Sequence, residues 1–339
     1  MMNYYERLIL KQQIETRLRK IEMQYSYQNN SILNTQTQAV TSSDKSNDIE
    51  YLIDTEFAEI VGLNNIKNEL LSFSNYLTVN KERKKRGYNT SSIPLHAVFS
   101  GSPGTGKTTV ARILGKIYKE LNILKKGHVV EVDRGDLVAG YIGQTTIKTK
   151  EALNAALDGV LFIDEAYSLS KCKSDEKDFG KEAIEAILKF MEDNRNRISV
   201  IVAGYNSNMK HFIDSNPGLS SRFTKFYMFN DFSSDELGQI LNINLINEGY
   251  EIRDHAFKYI QYFITKFKEI SNPETFGNGR SIRNIFEELK LIQGDRIAEI
   301  GNIKELKDSF LNFITLQDIK KLHNKFNINL PCDILVSES

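Results

Sequence analysis

The stretch GSPGTGKT, from Gly101 to Thr108, matches the pattern G-x-x-x-x-G-K-[ST]. Its glycines allow a tight turn whose backbone N–H groups face inward, and such a turn at a helix N-terminus binds phosphate. The run LHAVF before it predicts a buried strand, and TTVARILGKIYKEL after it has helical spacing, which is the context that the motif requires. Lys107 can then reach the β- and γ-phosphates of a nucleotide, and the Thr108 hydroxyl can bind magnesium.

Two acids, Asp164 and Glu165, follow the apolar residues of VLFIDEA. Ligands of parallel α/β sheets bind at the carboxyl ends of the strands, so we expect Asp164 beside the magnesium ion. Glu165 can polarise an attacking water as a general base. The alternative is that both acids only solvate the end of a strand. Next to a phosphate-binding loop, the pair indicates hydrolysis with water as the acceptor.

An aromatic residue, Tyr141, lies between glycines in AGYIGQT, residues 139–145. Glycines on both sides favour a mobile backbone, and the QTTIKTK that follows is polar. We therefore expect Tyr141 to lie outside the hydrophobic core.

Five short apolar runs alternate with segments of helical periodicity, a pattern typical of a doubly wound α/β domain with a parallel sheet. The runs are LHAVFS (95–100), HVVEV (128–132), GVLFID (159–164), ISVIVAG (198–204) and KFYMF (225–229). Such a sheet brings the phosphate-binding loop and the acid pair to the same edge.

The segments on either side of this domain have other patterns. Ser233, three residues before Glu236, predicts a capping box that opens a helical domain. Apolar steps of four and three near the N-terminus predict an amphipathic helix, docked on a domain or recruiting a partner. The predicted organisation is a helix over 1–30, a flexible linker over 31–50, the α/β domain over 51–230, a small helical domain over 231–330 and a tail over 331–339.

The composition excludes several classes of function. Lys+Arg and Asp+Glu both number 44 in 339 residues, so no overall charge attracts nucleic acid or an anionic membrane. Two distant cysteines, Cys172 and Cys332, argue against a disulfide framework, and the five histidines show no metal-ligand spacing. Without a signal peptide or a long apolar run, the sequence predicts a cytoplasmic protein with no membrane partner.

These motifs resemble those of AAA+ ATPases. The run from IVGLNNIKNEL through NPGLSSRF is similar to the CbbX and stage V sporulation protein K family, over about residues 57–322. The resemblance implies an α/β domain followed by a small α-helical lid, with ATP and Mg²⁺ as cofactors and a homo-oligomer, most simply a ring hexamer. It also implies a set of nucleotide-binding residues: Ile60, Val61, Ser102, Pro103, Gly104, Thr105, Gly106, Lys107, Thr108 and Thr109.

Further roles follow from the resemblance alone. Arg222 matches the arginine with which a neighbouring subunit reaches the γ-phosphate, and its alternative is a surface arginine paired with a carboxylate. Arg280 in FGNGRSIRN resembles the sensor-2 arginine, with Arg283 in reserve. The polar sensor after the fourth strand falls on Tyr205 or Asn206. Ordinary core packing is the alternative for Ile60 and Val61.

By the same resemblance, Tyr141, Ile142 and Gly143 form a pore loop that grips a polypeptide. The alternative is a tyrosine folded back onto its own subunit. The charged segment 170–182 is either a second pore loop or a plain surface loop. Cys172 within it has basic neighbours but no catalytic constellation.

The function implied is an ATP-hydrolysing remodeller of an unidentified protein. The alternatives are a switch or loader acting on nucleic acid, a small-molecule phosphotransferase, and a scaffold that assembles on ATP and threads nothing. The family includes activators of red-type Rubisco and sporulation proteins, between which the composition does not choose.

Overall fold

The computed structural model describes residues 44–58, 60–90, 95–141, 143–170, 179–252, 256–272 and 275–330. The predicted N-terminal helix, the C-terminal tail, Ile142 and Cys172 lie outside the described residues. Residues 44–50, which we predicted as the end of a linker, instead begin the helix Asp44–Phe57, here α1. They are helical because the one face that carries Ile49, Ile53 and Phe57 packs into the hydrophobic core.

The first domain is the predicted α/β domain with a parallel five-stranded sheet. Along the sheet the order is β2-β3-β4-β1-β5. The strands are β1 Ala97–Gly101, β2 Val129–Val132, β3 Gly159–Ile163, β4 Ile198–Gly204 and β5 Lys225–Phe229. After α1, its helices are α2 Asn64–Lys85, α3 Lys107–Glu120, α4 Arg134–Leu137, α5 Gln144–Ala155, α6 Phe179–Asp193, α7 Asn206–Asp214 and α8 Pro217–Arg222, with a 3₁₀ turn at Ala166–Ser170.

Helices cover both faces of the sheet, so successive residues of a strand enter different cores. In β1, Ala97 and Phe99 belong to one hydrophobic cluster and Val98 belongs to the other. Such double burial explains why the strands read as continuous apolar runs. The carboxyl ends of β1 and β3 therefore lie on the same edge of a rigid sheet, two strands apart.

The second domain is helical, and the capping box predicted at Ser233 and Glu236 is present. Its elements are α9 Ser234–Asn247, β6 Glu251–Ile252, α10 Ala256–Ile270, α11 Gly279–Ile300, a 3₁₀ turn at Ile303–Glu305, α12 Asp308–Asn312, β7 Phe313–Ile314 and α13 Leu316–Lys325. The parallel pair β6–β7 was not predicted, because strands of two residues leave no apolar run to detect.

One continuous hydrophobic cluster joins the two domains, since it includes Phe99 and Phe229 of the sheet with Leu237 and Ile282 of the helical domain. Among the described helices, none is both long and apolar enough to cross a membrane.

The centre of the sheet should be intolerant of truncation at Phe99. This ring is fully buried, and its centroid lies 5.3 Å from that of Tyr227 and 5.1 Å from that of Phe229. Phe99→Ala is expected to lower the free energy of unfolding by about 4 kcal/mol, through lost apolar burial and the cavity left behind. Chemical denaturation measures this, with the half-exposed Phe226→Ala as the control. A similar loss in both variants would contradict the description of the core.

His96 should make stability depend on pH. The residue is 7% exposed, and its Nδ1 accepts a hydrogen bond from the Val200 N–H at 3.0 Å. Burial, and next the nearby Arg222 cation, lower the pKa of His96 to about 4. The unfolded chain therefore takes up a proton first, and stability falls as the pH drops from about 6.5 towards 4, by up to about 3 kcal/mol.

Denaturant titrations at about pH 7 and about pH 5 test this expectation. His96→Gln should show the smaller loss between the two values, because glutamine does not titrate. The exposed His211→Gln serves as the control. An unchanged pH dependence in the His96 variant would contradict the assignment.

Candidate functional site

The phosphate-binding loop connects β1 to α3, and hydrogen bonds within the loop stabilise its shape. Gly104 and Gly106 have φ values of 70° and 92°, in the left-handed region that favours glycine. The Lys107 ammonium donates to the carbonyl oxygens of Gly101 at 2.9 Å and Ser102 at 2.8 Å. The Thr105 hydroxyl also donates to Ser102 O, at 2.8 Å. These bonds hold the loop in shape and keep the lysine over it.

A cleft of about 650 Å³ lies between the α/β domain and the helical domain, a size that suits a small-molecule ligand. The residues that we predicted for nucleotide chemistry and that line it are Ile60, Val61, Pro103, Gly104, Gly106, Lys107, Thr108, Thr109, Asp164, Glu165, Tyr205, Arg280 and Arg283. The cleft therefore brings together residues from the phosphate-binding loop, the acid pair and the second domain.

Several predicted residues lie elsewhere. Ser102 and Thr105 do not line the cleft and support the loop instead, one through its carbonyl and one through its buried hydroxyl. Of the two residues predicted for the polar sensor, Tyr205 lines the cleft, whereas Asn206 is exposed at the start of α7. Both arginine candidates, Arg280 and Arg283, reach the cleft, so both remain candidates.

The acid pair at the end of β3 has unusual backbone geometry. Glu165 has a φ of 49°, which is uncommon for a residue with a side chain and marks a strained position. Its N–H donates to the Asp164 carboxylate at 3.1 Å.

Burial, and next the neighbouring Glu165 carboxylate, raise the pKa of Tyr167 to about 12. The Tyr167 hydroxyl lies near the side chains of both Glu165 and Asn208, next to the candidate base.

The electrostatics of the cleft suit an anion with a divalent cation. Burial lowers the pKa of Lys107 to about 8, with the Asp164 carboxylate as the largest opposing influence and Arg280 acting in the same direction as burial. Within the described residues, no group of three or more His, Cys, Asp or Glu side chains could hold a metal ion by itself. Thr108 and Asp164 nevertheless offer two oxygen ligands in one cleft. This donor set fits Mg²⁺, which is usually held by few side chains together with substrate phosphates.

Arg222 ends α8 and does not line the cleft of its own chain. Its Nη2 lies 3.1 Å from Glu192 Oε2, and its Nη1 donates to Gly218 O at 3.3 Å. The Nε is among the buried side-chain nitrogens of the described region that have no hydrogen-bond partner. The guanidinium is thus held at the surface by one carboxylate, the pairing that we gave as the alternative to a catalytic role.

Tyr141 is 74% exposed, as expected for a residue outside the core. Gly143 beside it has a φ of 79° and precedes α5. Neither residue lines the cleft, so the loop between α4 and α5 carries an exposed aromatic side chain away from the nucleotide region.

Several residues of the cleft were not predicted from the sequence: Leu63, Arg112, Gly204, Phe232, Ile240, Ile243, Asn244 and Gly279. Only Phe232 carried a usable signal, because it lies just before the capping box where the two domains join. The residues from α9 enter the cleft through the packing of one domain on the other. Tyr167 does not line the cleft, and no sequence pattern marked it as a neighbour of Glu165.

Two family models match the chain. The model of the ATPase family associated with various cellular activities (AAA) matches residues 97–231, and a model of the AAA lid domain matches residues 233–327. The second domain, which begins at α9, is therefore the lid. The AAA domain of FIGL-1, in a crystal structure with ADP, shares the fold at a TM-score of 0.52, with 16% identity over 83% of this chain and 88% of that one.

Curated relatives are similar over most of their length. Stage V sporulation protein K of Bacillus subtilis is 36% identical over 81% of this chain and 92% of its own. The chloroplastic ribulose bisphosphate carboxylase/oxygenase activase of Cyanidioschyzon merolae is 40% identical over 84% of this chain and 96% of its own. The plasmid-encoded protein CbxX of Cupriavidus necator is 40% identical over 77% and 81%. The chain therefore belongs to the AAA+ ATPases of the CbbX and stage V sporulation protein K family.

Proposed function

We propose that this ATPase works as a ring hexamer that pulls on a protein substrate through a central pore. The observation that carries this proposal is the exposure of Tyr141, at 74%, between Gly140 and Gly143 and away from the cleft. An aromatic ring can grip an extended polypeptide of any sequence through apolar contact area. The flanking glycines let the loop move with the nucleotide state.

In the cleft, the loop backbone and Lys107 hold the phosphates of ATP. Thr108 and Asp164 would hold Mg²⁺, which neutralises charge on the phosphate oxygens when it is bound. Glu165 accepts a proton from the water that attacks the γ-phosphorus. The bond from that phosphorus to the bridging oxygen breaks, and ADP and phosphate leave. The neighbouring Tyr167 hydroxyl can help to orient the Glu165 carboxylate.

Arg222 completes the cleft of the next subunit. The guanidinium lies outside its own cleft, and the Glu192 carboxylate holds it at the surface, where a neighbour in a ring can receive it. A ring uses head-to-tail interfaces, so each cleft meets the α8 end of the adjacent chain. The arginine then stabilises negative charge that develops on the transferred phosphoryl group. Glu192 pairs with Arg222 in the single chain. This ion pair breaks when the subunits assemble and Arg222 enters the neighbouring cleft.

Hydrolysis is transmitted by motion of the lid against the α/β domain, because Arg280 and Arg283 of the lid share the cleft with the phosphate-binding loop. The substrate class is a protein. The relative from C. merolae is by name an activase of Rubisco, and the relative from B. subtilis is by name a sporulation protein. These names support a protein as the target, and the choice between them depends on capture of the substrate itself.

Mixing two inactive variants tests the arginine in trans. Arg222→Ala and Glu165→Gln should each lower ATP hydrolysis by about a thousandfold, one through the missing cation and one through the missing base. In mixed rings, the intact cleft of one variant meets the intact arginine of the other at about a quarter of the interfaces. Phosphate release should therefore recover when the two are combined.

The control mixes Arg222→Ala with the double variant Glu165→Gln/Arg222→Ala, which supplies no arginine and should give no recovery. If the first mixture also stays inactive at every ratio although mixed assemblies form, Arg222 does not act in trans.

Tyr141→Ala tests the pore loop. In a Glu165→Gln background, which is expected to bind ATP and stall, a tagged chain should retain a protein from host lysate with ATP and not with ADP. Adding Tyr141→Ala should abolish the retention. Adding Tyr88→Ala, at another exposed tyrosine, should not.

Two other outcomes of the capture would each indicate a different function. Retained nucleic acid would indicate a loader. Retention that is unchanged by Tyr141→Ala would indicate an ATP-dependent scaffold that threads nothing.

A further inference from the structure

Asn278, immediately before α11 of the lid, is fully buried and has a φ of 47°. An asparagine in this place usually caps its own helix through its side chain. Here the side chain makes no such cap. A buried amide that leaves its helix uncapped and takes a strained backbone conformation must be held by contacts elsewhere.

Those contacts reach two segments distant in sequence. The Nδ2 donates to the Asp231 carboxylate at 2.8 Å and, with a longer bond of 3.4 Å, to the Pro103 carbonyl of the phosphate-binding loop. The Oδ1 accepts from the Phe232 N–H at 3.0 Å. Asp231 and Phe232 form the connection between β5 and α9. One side chain therefore joins the phosphate-binding loop, the connection between the domains and the start of a lid helix.

The backbone around Asn278 also touches the phosphate-binding loop. Gly279 N–H donates to Gly104 O at 3.1 Å. A Cβ atom on Gly104 would lie 2.0 Å from the carbonyl oxygen of Gly277, so only glycine fits there. Movement of the loop at Gly104 must therefore displace the start of α11.

Arg280 follows two residues later and lines the cleft. Because Asn278 fixes the first turn of α11 to the loop, it also sets where Arg280 enters the cleft. Loss of the amide would leave the buried Phe232 N–H without its partner and free the helix start to shift.

We propose that Asn278 is a positioning residue that ties the start of α11, and Arg280 with it, to the phosphate-binding loop, so that the lid follows the nucleotide. The proposal rests on the proposed role of Arg280 in the cleft. Asn278 touches no reacting atom and acts through Arg280 and Asp231.

Asn278→Gly removes the amide and tolerates the left-handed φ. It is expected to lower kcat for ATP hydrolysis by about tenfold and to change the KM for ATP by less than about threefold, since Lys107 and the loop remain. Asn302→Gly is the matched control: Asn302 is an exposed lid asparagine with a φ of 42° and no side-chain cap bond. It should leave both constants unchanged.

A second variant removes the bond from the Asn278 side chain to the Pro103 carbonyl of the phosphate-binding loop. Exchanging the two partners, as Asn278→Asp with Asp231→Asn, preserves a donor and acceptor between them and keeps an acceptor for the Phe232 N–H. The donation to Pro103 O is lost, and the carboxylate moves from position 231 to position 278, where it repels that carbonyl oxygen. The exchanged variant should fold if Asn278→Gly does not, and it should show the same fall in kcat.

Distance measurements between spin labels report the lid directly. The labels are attached at Lys210→Cys and Leu291→Cys, both exposed, after Cys172 and Cys332 are replaced by serine. In a Glu165→Gln background that keeps Asn278 and Asp231, the distance should differ between ATP and ADP. The difference should shrink when either Asn278 variant is introduced into the same background. A full difference with unchanged kcat in these variants would overturn the role of Asn278 alone. If the chain with native Asn278 shows the same distance with ATP and ADP, both this role and the proposed transmission through the lid would be overturned.

Discussion

At Gly104 the phosphate-binding loop contacts the start of the lid helix α11 backbone to backbone, and the arrangement of the cleft depends on that contact. Gly104 faces the carbonyl of Gly277 at a separation that no Cβ atom tolerates, and Gly279 donates to Gly104 O. Because this backbone contact holds the start of α11 against the loop, Arg280 enters the same cleft as Lys107. A residue larger than glycine at position 104 would push the lid away and separate these two cations.

The cleft concentrates charge in a small, partly buried volume. Lys107 is surrounded by the carboxylates of Asp164, Glu165 and Asp231 and by the guanidinium of Arg280, while burial lowers its pKa. A polyphosphate with a divalent cation adds both negative and positive charge to such a site, which suits the mixture of acids and bases. The family assignment and the cleft thus agree on nucleotide hydrolysis from independent observations.

Much of the fold and the centre of the site could be predicted from the sequence, because they depend on local patterns. The glycines and Lys107 form one short motif, and buried parallel strands leave continuous apolar runs. Asn278 and Asp231 could not be predicted in the same way, since their pairing joins segments 47 positions apart and depends on how the lid packs. The helical start at Asp44 was missed because the first turn of α1 is polar, and its apolar face begins only at Ile49.

The central claim is that a cleft becomes an active site only when a second subunit supplies Arg222. The most direct test is the ATPase activity of the wild-type protein per subunit, measured over a wide range of protein concentration together with the mass of the assembly. Activity per subunit should rise from near zero in the monomer and level off when the ring has formed. Full activity per subunit at the monomer mass would contradict it.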